Sequence, residues 1–437
     1  MKKLAFLLSL LLILSTLSAC TTAKKPTDEP TETPGGTVFP ALDVWDGTIA
    51  EGFAAGSGTE ADPYLIATGA QLAYLAKSVN EGNAYSGKVI ALAADVDLND
   101  REWTPIGNGN APFEGIFDGK GHVIQHLSIL SPKVTEVTIT TSTTFVSPFN
   151  FCGLFGCCGS VVISDLSIRS AVIALPDVRE ISGFYSGVLI GKVQSETGCT
   201  ISRVCVSDAA IRINLGQSDK YNSNLLAVGG IIGYLDAKPG EAPNPVHFDC
   251  LESTVQISFD CPKWDCSKNF GGICGMLYNK KGFECTNFFS NLTVDLIAHD
   301  EGNCNKSYIG AFGSLSNISK AYLANGYSKV VSNELPLGNY FGNHFYRTAN
   351  AMIGYIPLGK IDKEVVFSFE NLFGCVLPSE KAAFAEPFYS LYLISDLEPS
   401  GATVIEKNCV ACDALPENHG LDPAVWDLTD LANPKLK

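Results

Sequence analysis

A short apolar segment bracketed by glycines recurs five times along this chain of 437 residues. The closing glycines of successive copies lie 35, 42, 42 and 38 residues apart. Repetition at this period predicts an array of similar units, each of which buries its apolar face against its neighbours. The copies are Gly153-Leu-Phe-Gly156, Gly187-Val-Leu-Ile-Gly191, Gly230-Ile-Ile-Gly233, Gly272-Ile-Cys-Gly275 and Gly310-Ala-Phe-Gly313.

A second phrase runs in step with the first, at Ile124–Ile129, Ile163–Ile168 and Ile201–Val206. Its apolar residues alternate with polar ones and are mostly β-branched, which is typical of a half-buried strand. A helical repeat is the alternative, but glycines every three to four residues would destabilise each helix. The sequence therefore favours an all-β stacked array.

Composition narrows the classes of partner. The formal net charge is −16, and it becomes −18 without residues 1–19, which carry Lys2 and Lys3. Such a balance repels phosphate backbones, so no nucleic-acid partner is expected. The simplest role of the charge is solubility.

The first residues have the pattern of an export signal. Met1-Lys-Lys is followed by an apolar run from Leu4 to Leu17 and then by Leu17-Ser-Ala-Cys20. The last four residues resemble the lipobox of bacterial lipoproteins, which implies lipidation at Cys20 after removal of residues 1–19. An ordinary signal peptide with an incidental cysteine is the alternative. Residues 20–44, dense in Thr, Pro and charge, are predicted to form a disordered tether from a membrane-bound lipid on the extracellular face.

Residues 45–110 differ from the repeats and are predicted to form an N-terminal cap. Thr68 to Asn80 has apolar residues at helical spacing, with Thr68 as the N-cap and Gly82 just past the end. We expect this helix to cover the open end of the first coil. Residues 111–437 are predicted to form the repeat domain, with irregular coils and long loops over 335–437.

Several motifs of the cap and repeats resemble a known family. They are the run from Gly56 to Ile66, Ala94-Asp-Val-Asp-Leu98, Trp103-Thr-Pro-Ile-Gly107 and Phe117-Asp-Gly-Lys-Gly-His122. In this order, with the Gly-x-x-Gly phrases, they resemble bacterial surface proteins with GLUG-type repeats. Those are similar to the pectin-lyase-like superfamily, which implies a right-handed parallel β-helix with a small α+β N-terminal cap. The resemblance covers about residues 45–330, and Val425–Leu428 with Asn433–Leu436 resembles the end of such a region. The family includes adhesins and the N-terminal parts of some IgA-specific metallopeptidases.

Fourteen cysteines remain besides Cys20. Several lie inside the strand phrases, where a thiol behaves as a small apolar group, so inward stacks of free thiols are expected. Disulfides are the alternative in an exported protein, although spacing does not define their pairing. Cys409-Val-Ala-Cys412 has half of a zinc-site spacing without a second pair to complete it, and no metal site is predicted.

Motifs of catalysis are missing from the sequence. There is no HExxH, Gly-x-Ser-x-Gly or P-loop. The nearest candidate for a calcium-dependent lyase site is the group Asp95, Asp97 and Asp100 with Arg101. Asp side chains more often close turns, and turns are the favoured interpretation of this group. Asp118–Gly121 is likewise interpreted as a turn. No cofactor and no enzymatic activity are expected; a polysaccharide lyase or glycoside hydrolase is the alternative.

A binding role is indicated by aromatic residues beside glycine and asparagine. The candidate ligand-binding residues are Tyr340, Phe341, His344, Phe345 and Tyr346. Such side chains suit sugar rings or extended peptides, although they also suit the core of wide coils. The same choice applies to Phe145–Phe151, where the core is favoured. The sequence predicts a non-catalytic, adhesin-like surface module for host or cell-wall glycan or protein, with a structural spacer as a further alternative.

Overall fold

The computed structural model describes residues 42–437, apart from 141–143, 176–181, 196–197, 215–224, 238–245, 261–266, 280–281, 298–305, 317, 319, 334–345, 357–364, 381–390, 395–401, 418 and 432–434. No helix in the described part of the chain has the length and hydropathy needed to span a membrane.

The strands follow one another closely along the chain. Those before the long repeats are β1 (Leu42–Val44), β2 (Tyr64–Ile66), β3 (Val89–Leu92), β4 (Asp95–Asp97), β5 (Ile116–Asp118), β6 (Val123–Gln125), β7 (Ser128–Ile129), β8 (Val134–Thr140), β9 (Thr144–Cys152), β10 (Phe155–Cys158), β11 (Val161–Arg169), β12 (Val172–Leu175), β13 (Gly183–Gly187) and β14 (Ile190–Ser195). The remainder are β15 (Cys199–Asn214), β16 (Leu225–Gly229), β17 (Ile232–Ala237), β18 (Val246–Asp260), β19 (Ser267–Asn279), β20 (Phe283–Ile297), β21 (Lys306–Ser316), β22 (Lys320–Ser332), β23 (Tyr346–Ala349), β24 (Ile353–Ile356), β25 (Val365–Pro378), β26 (Tyr392–Ile394), β27 (Ala402–Lys407), β28 (Val410–Ala411), β29 (Trp426–Asp427) and β30 (Lys435–Leu436).

Two large sheets, almost entirely parallel, enclose the core. Sheet A has 16 described strands and includes the path β11-β15-β18-β20-β22-β25-β27, while sheet B has 12 and includes β10-β14-β17-β19-β21. The chain alternates between the sheets, and partners on successive coils lie 37 residues apart in β18 and β20 and 38 apart in β20 and β22. One main apolar cluster runs between the sheets from the cap to the last coils. The prediction of an all-β parallel β-helix is thus confirmed; its right-handed winding stays a prediction.

The helix of the cap begins where the sequence places it. α1 (Gly69–Asn80) connects β2 to β3, which pair in parallel, and the Thr68 hydroxyl accepts a hydrogen bond from the backbone N–H of Gln71. Its apolar side packs on the main core through Leu72, Leu75 and Val79. Strands β1 and β4 extend sheet A, so the cap region shares a hydrogen-bonded sheet with the repeats. Whether α1 blocks association at the coil end stays a prediction.

The closing glycines stack on one another in sheet B. A Cβ at Gly233 would lie 2.5 Å from the carbonyl oxygen of Gly191, and one at Gly313 would lie 2.4 Å from that of Gly275. Real Cβ atoms do not approach backbone so closely, which explains why only glycine fits here. We call this line the glycine row; it comprises Gly107, Gly156, Gly191, Gly233, Gly275, Gly313 and Gly354.

Sheet A turns a corner at a matching position on successive coils. Residues there have φ of about +50°, the left-handed region in which asparagine is one of the less strained side chains. Asn325 donates to the side chain of Asn287 at 3.2 Å, and Asn371 donates to that of Asn325 at 2.8 Å. We call this line the corner row; it comprises Asp165, Arg203, Cys250, Asn287, Asn325, Asn371 and Asn408.

The C-terminal residues do not continue the coils. After β28 the chain runs back over the outer face of sheet A, and β30 contacts β18 and β20. Leu415, Leu421 and Trp426 pack there on an outward aromatic row formed by Phe289, Tyr327 and Phe373. We call residues 412–437 the strap.

Thiols fill part of the interior. Cys152, Cys158, Cys199, Cys274 and Cys285 all belong to the main core and are free thiols. Burial raises the pKa of the Cys199 thiol to about 12, so this thiol is inert as a nucleophile.

Candidate functional site

Most residues proposed from the sequence fall outside the described ranges. Cys20 lies there, as do Tyr340, Phe341, His344 and Phe345. Tyr346 begins β23, whose backbone pairs with Lys306 of β21. A different group of side chains forms the candidate site.

The glycine row bends sheet B so that outward side chains on its two sides approach each other. Tyr185 precedes the bend on one coil and Tyr234 follows it on the next, and their ring centroids are 5.0 Å apart. The same one-coil offset brings Tyr308 to within 4.5 Å of Tyr355, with an angle of 12° between the rings. Between these pairs, the Ser314 hydroxyl donates to the side-chain oxygen of Asn269 at 2.6 Å. The pattern is therefore a repeating property of the coils.

The richest part of this line lies over the first coils. We call it the aromatic cleft; its lining residues are Phe149, Phe151, Tyr185, Lys192, Tyr234 and Met276. Phe149 stacks on Tyr185 at 5.7 Å and on Phe151 at 6.0 Å. Phe151 and Tyr185 are buried, whereas Phe149, Tyr234 and Met276 are half-buried. The cleft thus offers apolar ring faces with partial access to solvent.

Among the described residues, Lys192 supplies a cation beside the tyrosine rings of the cleft. The Lys192 ammonium lies 5.8 Å from the centre of the Tyr185 ring and 5.7 Å from that of Tyr234. Both distances are within the range of a cation–π interaction. Burial, reinforced by the nearby Asp236 carboxylate, raises the pKa of both tyrosines well above the usual value. The two phenols therefore stay protonated and remain available to donate hydrogen bonds.

A pocket opens at the cap end of the cleft, with Phe151 in its wall. Its volume is about 450 Å³, within the range of small-molecule sites. Trp103 contributes to the lining and is held by its indole N–H, which donates to the carbonyl of Leu154 at 3.1 Å. The Asn80 and Asn108 side chains, hydrogen-bonded to each other at 2.9 Å, supply polar groups.

Residues of β8 and β9 also line this pocket. These two strands pair antiparallel, unlike the other described strand pairs of sheet B. Phe151 is buried, as the core interpretation of Phe145–Phe151 expects, whereas Phe149 is half-buried. Both belong to the cleft cluster and not to the main core. The physical reason is alternation along β9: Cys152 belongs to the main core, so Phe149 and Phe151 face away from the coil interior. Phe145 has no described side chain.

The acidic residues of the cap serve turns and cross-strand contacts. Asp97 accepts from the backbone N–H of Asn99 at 2.7 Å and from Gln125 at 2.9 Å, and it pairs with His126 at 2.8 Å. Burial alone would raise the pKa of Asp97, but these hydrogen bonds hold it below the usual value. The carboxylate oxygens of Asp97 are thus already engaged, and in the described residues no three such side chains cluster as metal ligands would.

Cys409 and Cys412 flank β28 and pack on opposite faces of sheet A. Cys409 packs against the main core, whereas Cys412 packs against the cluster under the strap. The two thiols therefore do not converge on one ligand.

The sequence contains a signal for the cleft that was missed. Tyr185 and Tyr308 each lie two residues before the opening glycine of a repeat, and Tyr234 directly follows a closing glycine. Tyr355 follows Gly354, the closing glycine of a sixth copy that lacks an opening glycine and was also missed. Aromatic residues at fixed offsets from the repeat glycines are this signal.

Comparison with known proteins gives two similarities. No family model matches the chain. A protein of Evansella cellulosilytica, provisionally named a Gly-rich membrane protein, is 28% identical over 145 residues, which is 33% of this chain and 15% of the relative. The crystal structure of a protein from Bacteroides ovatus, provisionally named an immunoglobulin A1 protease, has a TM-score of 0.46 and 16% identity over 88% of this chain and 95% of that one.

Proposed function

We propose that this protein is a lipid-anchored, extracellular, non-catalytic β-helix that binds a glycan chain along the aromatic cleft. The observation that carries the proposal is the cluster of packed rings at Phe149, Tyr185 and Tyr234 on the outer face of sheet B, of which Phe149 and Tyr234 are half-buried. Pyranose rings have faces of C–H groups that pack on aromatic faces, and their hydroxyls need polar partners at the edges.

The geometry of the coils supports an extended ligand. Successive coils of a parallel sheet lie about 4.8 Å apart, so the outward positions from Phe151 to Tyr308 extend along the solenoid for about 19 Å. A linear polymer that follows this direction meets half-buried side chains on four successive coils, namely Phe149, Lys192, Tyr234 and Met276. The pocket near Trp103 lies at the cap end of this line, where we expect the terminal sugar to bind.

The polar groups of the site favour binding over catalysis. Glu102 lines the pocket, but its carboxylate already accepts backbone N–H groups, from Leu130 at 2.9 Å and from Ser131 at 2.9 Å. A carboxylate fixed in this way has a structural task and is poorly placed to shuttle protons. Release of reducing or unsaturated sugar ends from polyuronate or mucin glycans by the purified protein would contradict the non-catalytic part of the proposal.

The anchoring part rests on the lipobox-like sequence at Cys20, and the membrane name of the Evansella relative is consistent with it. Cys20→Ser is expected to send the protein into the medium or to leave its signal unprocessed. Unchanged retention in the membrane fraction of cells expressing C20S would contradict lipid anchoring and leave the binding proposal standing.

The binding part is tested by a glycan array followed by titration of the best ligand. Tyr234→Ala removes a half-buried ring of the cleft, and we expect the Kd to rise about tenfold. Lys192→Met keeps the length of the side chain without its charge; a rise in Kd that disappears at high salt identifies an acidic glycan.

The matched control is Tyr322→Ala, which removes a half-buried tyrosine from the outer face of sheet A. Its Kd should equal that of the unmodified protein. An array without ligands, or equal weakening by the two tyrosine variants, would overturn the proposal that the cleft is the binding site.

A further inference from the structure

The strap shields an aromatic surface of the coils. Tyr327 and Trp426 are both fully buried at this contact, and the Tyr327 hydroxyl donates to the backbone carbonyl of Asp413 at 2.9 Å. The indole N–H of Trp426 is buried without a hydrogen-bond partner, which weakens the docking of the strap. The unpaired indole N–H makes the docked strap less stable, and a covalent link between strap and coils would offset this loss.

Two cysteines face each other where the strap leaves the coils. In the register of β25 and β28, Phe373 is opposite Val410 and Gly374 is opposite Ala411. The backbone N–H of Cys412 donates to the carbonyl of Gly374 at 2.8 Å, which continues this parallel ladder by one residue. Cys375 is therefore opposite Cys412. Partners on adjacent strands are about 4.8 Å apart, within the Cα separations of disulfides.

The two side chains point to the same side of sheet A. Phe373 faces the strap and Gly374 the interior, so alternation turns Cys375 outward again. Cys412 packs with the strap cluster. Both thiols lie near the Tyr327 hydroxyl, where each contributes to the electrostatic environment of that phenol.

We propose that Cys375 and Cys412 form a disulfide that fastens the strap to the last coils when the protein is exposed to an oxidising environment. The oxidant is a small-molecule disulfide. One thiolate attacks it, forming a mixed disulfide and releasing one thiol; the second thiolate then displaces the other half. Two protein thiols become one S–S bond, and the oxidant is reduced to two thiols. The free thiols in the structure are the reduced state. That the protein meets such an environment in the cell rests on the proposed extracellular localisation. The reaction of the purified protein in vitro does not depend on it.

The environment of the thiols sets the conditions for the reaction. Burial raises the pKa of Cys375 to about 11 and also raises that of Cys412 above its usual value. Thiolates are scarce at neutral pH, so the exchange is slow there and accelerates as the pH rises.

The test incubates the purified reduced protein with oxidised glutathione at about pH 9 and maps its peptides without reduction. We expect one linked pair, Cys375 with Cys412, and its loss on reduction. Proteolysis within 412–437 should slow about tenfold after oxidation, since the link fastens the start of the strap to β25 and lowers the population of the opened strap. Mapping requires no variant, so a failure to fold cannot obscure the result.

Variants locate the effect. Cys412→Ser should abolish both the linked pair and the protection, whereas Cys409→Ser should keep both, because Cys409 packs on the core side. Glutathione attached to Cys412 without a cross-link, a link between other cysteines, or protection that persists in C412S would overturn the proposal. Glycan binding by the cleft is measured separately and does not depend on this outcome.

Discussion

The outer surface of the β-helix has two aromatic lines with different fates. On sheet A, Phe289, Tyr327 and Phe373 are buried by the strap. On sheet B, the described apolar residues that cluster in the cleft come from strands of that same sheet. Outward aromatic residues of a solenoid can thus be structural or, as we propose for the cleft, available for a ligand. Among the described residues, a segment of the chain lies on top of the line on sheet A.

The comparison depends first on the glycine row, which bends sheet B. In Gly233→Val, the new side chain would collide with the Gly191 carbonyl oxygen, 2.5 Å from the Cβ, and with the backbone of Ser186. We expect destabilisation of about 3 kcal/mol or more, or no folded protein, by urea denaturation. Gly52→Ala is the control, because nothing lies within 4 Å of its Cβ. Equal midpoints for G233V and G52A would contradict the packing described for sheet B.

The second prediction compares the two lines directly. Tyr327→Ala leaves a cavity beneath the strap and should lower the free energy of unfolding by about 3–5 kcal/mol. Tyr234→Ala removes a half-buried ring and should lower it by about 1 kcal/mol. Urea denaturation of both variants measures the difference. If they are equally destabilised, the distinction between a structural and an available line fails.

The third prediction tests whether the corner row of sheet A affects stability without affecting the cleft on sheet B. Asn325→Ala removes hydrogen bonds to Asn287 and Asn371 and places alanine at φ +55°. We expect a loss of about 1–2 kcal/mol. Asn325→Gly loses the same hydrogen bonds but adopts φ +55° without strain, so the difference between the variants isolates the strain. Glycan affinity should be unchanged in both; a weakened affinity would show that the two faces are coupled.

The smallest expected effect is on the pH dependence of stability, through Asp165 and Arg203 at the start of the corner row. The Arg203 guanidinium donates to Asp165 at 2.7 Å, and this hydrogen bond lowers the pKa of Asp165. The stabilisation is present above the pKa of an unfolded Asp and is lost as the pH falls through the lower, folded pKa. Between pH 7 and pH 3 the unmodified protein should therefore lose slightly more stability than Asp165→Asn, by less than about 1 kcal/mol for an exposed pair. A larger loss in D165N would reverse the assigned sign.

The repeating part of the fold was predictable from the sequence. The period of the glycine phrases and the alternation of Ile163–Ile168 defined strands whose partners are now seen in register, and α1 begins next to its expected N-cap. Both signals are local and repeated, so each copy reinforces the others. The sixth copy was not predicted because it has only the closing glycine, Gly354, and lacks the opening one.

The candidate site was less predictable because it depends on the distance between two rows. Alternation indicates that Tyr185 and Tyr234 face outward, but their contact needs the bend at Gly187–Gly191 and the one-coil offset. The opening glycine Gly272 has a second role that its spacing in the sequence does not indicate, namely contact with sheet A across the interior. A Cβ at Gly272 would lie 1.8 Å from the hydroxyl oxygen of Ser290 on sheet A, so the two faces are fitted to each other across the interior. The strap occurs once, without a period, and no sequence pattern indicated what it covers.

The most direct test of the central claim is hydrogen–deuterium exchange of the protein with and without the best array glycan. We predict slower exchange in β13, β14 and β17, which carry Tyr185, Lys192 and Tyr234, with no change in β20 and β22 on sheet A. Protection confined to sheet A, or to the strap, would contradict the cleft as the site of binding.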